Sequence, residues 1–152
     1  MSAAIFGLIG VLLGGIITVL ESRRKDSRRD KREREADAQR AKVARRLVAD
    51  DLRSSAAYLK QQPTRGWVKM GSRALALSSW PDARATLAGT LSAGDWDTVS
   101  RACVAVGNIR IVVERFAGFG VPPKANAAMM TEFALETRDI ALEAHAVLDQ
   151  EP

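Results

Sequence analysis

The sequence predicts an all-α protein in three parts: an N-terminal transmembrane helix over residues 1–20, a basic charged helical stalk over residues 21–43, and a small antiparallel helical bundle over residues 44–152. Three observations predict it. Residues 3–20 form an unbroken apolar run. Residues 21–43 present charge on every side of a helix and no apolar face. From Ala44 onward, apolar residues recur at helical spacing, and strand-type alternation appears nowhere.

Eighteen residues at 1.5 Å each make a helix of roughly 27 Å, close to the roughly 30 Å hydrocarbon thickness of a bilayer. The basic residues follow this run, the reverse of a secretory signal peptide, so the segment is expected to remain as an anchor. Between Arg23 and Arg46 stand about twelve Lys and Arg against about five acids. The positive-inside rule assigns that flank to the cytoplasm. The expected location is the cell membrane, single-pass, with the N-terminus outside and the C-terminal domain cytoplasmic. Within the run, Ala3, Gly7, Gly10, Gly14 and Thr18 fall within about 80° of one helix face. Such a stripe of small residues lets a second membrane helix approach closely, so a second copy or another membrane protein is expected to pack there.

The stalk carries the excess charge. The formal net charge is +5, and residues 63–152 hold about nine basic and ten acidic side chains, so the positive excess lies before them. Arg23, Arg24, Lys25, Arg28 and Arg29 stand next to the span, where anionic lipid headgroups are the expected ligands, each cation contributing on the order of 1 kcal/mol. Glu21 with Lys25 and Asp30 with Arg34 are spaced to support a helix. A row of cations also attracts nucleic acid. Interspersed Asp26, Asp30, Glu33 and Glu35 lower the local charge, however, and no aromatic is present to stack on bases. Nucleic acid is therefore not the expected partner.

The first bundle face runs through Ala44, Leu47, Val48, Leu52, Ser55, Ala56 and Leu59 and is expected to end at residues 61–66, which contain Pro63 and Gly66. Trp67, Met70, Ala74 and Leu75 suggest a short amphipathic turn. Ser79 is expected to cap the next helix, with Pro81 in its first turn and Leu91 near its end. Asp95 is expected to cap the one after, from Trp96 to Phe116. That helix is apolar over more than half its circumference, through Trp96, Val99, Ala102, Cys103, Val106, Ile109, Val113 and Phe116 with Val104, Ile111 and Val112 beyond, and should be central. Residues 118–123, with two glycines and two prolines, stop it. The last helix, about residues 125–149, places Met130, Phe133, Thr137, Ile140, Ala144 and Val147 toward the core.

Candidate chemistry is sparse. Glu132, Glu136, Asp139 and Glu143 line one strip of the last helix, which reads as a solvated face or a docking strip for arginines. A bundle di-metal site needs inward acids from several helices and Glu-x-x-His pairs, whereas the single histidine, His145, has Leu142 three residues before it. No metal is expected. The single Cys103 sits among Ala102, Val104 and Val106 as a small buried hydrophobe, and one thiol cannot form an internal disulfide. Arg110 is spaced to snorkel toward Glu114. Neither a nucleophile elbow nor a phosphate loop occurs, so no catalytic residue and no cofactor are expected.

The run Trp80-x3-Arg84-x2-Leu87-x3-Leu91-x4-Trp96-x2-Val99-x2-Ala102 resembles a pattern in uncharacterised membrane-anchored helical proteins of actinobacteria, and the Arg- and Ala-rich composition suggests a high-GC bacterium or its phage. That resemblance covers about a third of the chain and implies no activity. In layout alone, the outside N-terminus, single span and charged stalk are similar to the b subunit of the rotary ATP synthase. That subunit continues as one long helix, whereas this chain is expected to fold back after Pro63. The functional expectation is a membrane-anchored interaction or scaffold protein without catalytic activity. The alternatives are a small phage or bacterial membrane effector of holin or lysis-regulator type, or a membrane tether for nucleic acid.

Overall fold

The computed structural model describes the backbone of residues 2–65, 73–117 and 124–150, and side chains over 28–61, 73–115 and 128–150. Among the described residues the protein is all-helical, with four α-helices: α1 Ser2–Arg65, α2 Trp80–Ala88, α3 Ala93–Ala117 and α4 Lys124–Asp149. A 3-10 turn covers residues 73–75. The chain forms two compact units, Met1–Gln39 and Arg40–Pro152.

In the first unit the described side chains, residues 28–39, are exposed throughout. Its residue types supply what packing does not, since Arg, Lys, Glu, Gln and Ala are all good helix formers. Ion pairs one turn apart add to this. Those present include Arg29 with Glu33 at 2.8 Å and Lys31 with Glu35 at 3.9 Å. Both put the cation first, the less favourable order against the helix dipole, and each exposed pair contributes a few tenths of a kcal/mol. Among the described residues no helix is long and apolar enough to cross a membrane. The apolar run 3–20 lies on α1, with its side chains outside those described.

In the second unit, apolar burial starts at Ala41 and continues through Ala44, Val48, Ala49, Leu52, Ala56 and Leu59. Leu47, expected on this face, is 48% exposed. The sequence predicts that the helix stops near Gln61; it continues through Pro63 to Arg65. Pro63 removes one backbone donor and crowds the carbonyl four residues before it, and α1 ends two residues later. The short turn at residues 73–75 then buries Leu75, while Trp67 and Met70 lie outside the described residues.

The start of α2 is held from outside the helix. Ser79 occupies the N-cap position with helical φ and ψ of −85° and −19°, and its hydroxyl makes no capping bond. Its backbone N–H donates instead to Asp51 Oδ2 of α1 at 2.8 Å. A carboxylate near the positive end of a helix makes a charge-assisted bond. The helix closes at Ala88, three residues short of the expected Leu91. The cap of α3 also differs from expectation. Ser92 Oγ accepts from the Asp95 N–H at 3.2 Å and donates to Asp95 Oδ2 at 2.7 Å, so Ser92 caps and Asp95 returns the contact. It resembles a capping box, except that the Asp95 carboxylate accepts from the Ser92 hydroxyl and not from the Ser92 backbone N–H. Trp80 and Trp96 stack at 5.5 Å with 22° between their rings, joining the first turns of α2 and α3.

Helices α3 and α4 pack along each other. Only six residues separate 25 and 26 helical ones. Six residues reach at most about 25 Å, short of the roughly 37 Å that a parallel return would need, so the pair is antiparallel. The core unites Val48, Leu52 and Leu59 of α1, Leu87 of α2, Val99, Val106 and Ile109 of α3, and Ala134, Ala141 and Ala144 of α4. The central row of α4 is thus alanine. Phe133, Ile140 and Val147, expected on the core side, are partly buried and pack against the core. Helices approach most closely over small side chains, and large residues flank the contact line.

Candidate functional site

The outward faces of α3 and α4 hold the surface chemistry of the bundle. On α4, Glu132, Glu136, Asp139 and Glu143 are all exposed, about half a turn away from the buried row Met130, Ala134, Thr137, Ala141, Ala144 and Leu148. The expected strip therefore faces solvent. Asp139 is engaged by its neighbour Arg138, with Nε and Nη2 at 2.8 and 2.6 Å. An open hollow of about 740 Å³ lies on the same side, lined among the described residues by Ala128, Thr131, Glu132, Leu135 and Glu136. Its floor is largely apolar, and its rim carries two carboxylates.

The sequence predicts a central α3 that is apolar over more than half its circumference, but the surplus apolar residues are not all buried. Val104 and Ile111 are each 59% exposed and point away from Val99, Ala102, Val106, Ile109 and Val113, which are buried. Arg101 and Arg115 are exposed on the same sector, three residues before Val104 and four after Ile111. Sequence pattern shows these aliphatics as apolar but cannot tell a second buried side from an exposed one. Arg110 behaves as expected, its Nε 2.8 Å from Glu114 Oε1.

Cys103 is buried at 4% exposure. Burial, and secondarily the Asp51 charge, pushes its thiol up to about 12. A thiol nucleophile or metal ligand acts as the thiolate, which this environment disfavours. Among the described residues two side-chain hydroxyls lie in the core. Ser55 Oγ stands 2.9 Å from the carbonyl oxygens of both Asp51 and Ala74, which ties α1 to the segment before α2. Thr137 Oγ1 is buried without a hydrogen-bond partner among the described residues. Among the described residues no group of three or more His, Cys, Asp or Glu could hold a metal ion.

The small-residue stripe Ala3, Gly7, Gly10, Gly14 and Thr18, and the cations Arg23, Arg24 and Lys25, lie on α1 with side chains outside those described. Arg28 and Arg29 are exposed, and Arg29 is held by Glu33. Asp51, which organises the start of α2, carries no signal in sequence, because its partner is a backbone N–H 28 residues away. Comparison with protein-family models, curated proteins and solved structures finds no match to this chain.

Proposed function

We propose that this chain is a single-pass membrane-anchored helical scaffold that works by interaction and not by catalysis. One observation carries the reading: an apolar run of spanning length passes directly into a basic run on one helix, Ser2–Arg65, whose last part joins the core of a compact bundle. In this reading residues 3–20 span the bilayer, Arg23, Arg24, Lys25, Arg28 and Arg29 meet anionic headgroups, and the bundle lies in the cytoplasm. Gly7, Gly10 and Gly14 pack against a second copy or another membrane protein. The exposed charged and apolar faces of α3 and α4 support interaction as the bundle's task, and burial of the Cys103 thiol speaks against that side chain as a nucleophile.

Expression of the full chain with a C-terminal tag tests the reading. The chain should stay with the membrane pellet through alkaline carbonate, and the tag should resist protease added to intact spheroplasts. Release into the supernatant, or digestion from outside, overturns anchoring or orientation respectively. Loss of membrane potential on expression of residues 1–46 alone would favour the effector reading over the scaffold.

A further inference from the structure

We propose that the bundle associates with a second copy of itself head to tail, the outward face of α3 in one copy docking on the hollow of α4 in the next. This names a partner for the interaction reading above and rests on it. The two surfaces carry opposite charges beside apolar side chains. On α3, Val104 and Ile111 project from the helix at 59% exposure each, and exposed Arg101 and Arg115 flank them. On α4, the hollow offers Ala128, Thr131 and Leu135 as its floor and Glu132 and Glu136 at its rim, with Glu143 further along the strip. A β-branched aliphatic entering that floor would lose its water while an arginine one turn away met a carboxylate.

The occupant is a second copy because every copy carries both the basic α3 face and the acidic α4 hollow. Each surface points away from the core that α3 and α4 share, so neither folds back on the other. A contact between two different patches leaves one of each free on every pair formed. It therefore propagates, in contrast to a two-fold contact, which closes at the dimer. Charge complementarity also disfavours α4 against α4, which would oppose carboxylates, whereas the α3 face carries Arg101 and Arg115 with the exposed carboxylate Asp97 one turn before Arg101.

The test uses two full-length variants reconstituted in phosphatidylcholine vesicles. Both carry Gly10→Leu and Gly14→Leu, to suppress association through the span. One adds Arg101→Glu and Arg115→Glu; the other adds Glu132→Arg and Glu136→Arg. All four charge changes are at exposed positions. Energy transfer between labelled copies is read at about 150 mM salt, where only near-contact charges act fully. Within each variant, transfer should fall roughly threefold or more below that of the parent carrying only the glycine changes, because like charges then meet. Mixing the two variants should restore it. Unchanged transfer within each variant, or a mixture as low as its components, overturns the proposal. Retention of the chain in the vesicles in that case would leave the anchoring reading standing.

Discussion

The two core hydroxyls differ in one respect, and replacing each should move stability in opposite directions. Thr137 is 1% exposed and its Oγ1 has no partner among the described residues, so the folded state carries a desolvated hydroxyl with nothing returned. Leaving such a group unpaired costs about 1–3 kcal/mol. Thr137→Val keeps the β-branched shape, nearly the same helix propensity and nearly the same volume, while a methyl replaces the hydroxyl. The expected gain is about 1–2 kcal/mol, or several degrees in Tm for a unit of this size. Ser55 is equally buried, but its hydroxyl lies 2.9 Å from each of two carbonyls. Ser55→Ala leaves the Ala74 carbonyl without this donor and should cost about 1–2 kcal/mol. Urea unfolding of the full chain in non-ionic detergent, followed by tryptophan fluorescence, reads both changes. A Thr137→Val midpoint at or below wild type, or a Ser55→Ala midpoint at or above it, would refute the reasoning.

Two further predictions concern Asp51 and Cys103. Burial raises the folded-state thiol value to about 12, above that of the unfolded chain, so its contribution to stability is full below about pH 8.5 and is lost as pH rises from there toward 12. Cys103→Ala should flatten that part of the stability profile measured by urea unfolding, and wild-type Cys103 should react with a thiol reagent at pH 8 only after denaturant is added. Asp51→Ala deprives the Ser79 N–H of its 2.8 Å acceptor and should lower stability by about 1–3 kcal/mol, whereas Asp51→Asn keeps an acceptor and should recover most of it. Asp51→Asn should also make Cys103 titrate at lower pH, since the carboxylate opposes thiolate formation; an unchanged titration by thiol absorbance would exclude that coupling.

Much of the helical organisation was legible from residue spacing because a helix repeats its environment every three to four residues. The burial of Val48, Leu52 and Leu59, of Val99, Val106 and Ile109, and of Cys103 follows directly from that period, as does the Arg110–Glu114 pair. So does the solvent-facing strip Glu132, Glu136, Asp139 and Glu143. These are properties of single helices, and sequence alone determines which side of a helix is apolar. Pairing between elements is a different matter. The alanine row at the centre of α4, the exposure of Val104 and Ile111, the Asp51–Ser79 bond and the Trp80–Trp96 stack depend on which helix lies opposite and how closely it approaches. Periodicity fixes an angle around one axis, while the distance and register between two axes are set by how all the side chains pack together. Only the tertiary structure decided those.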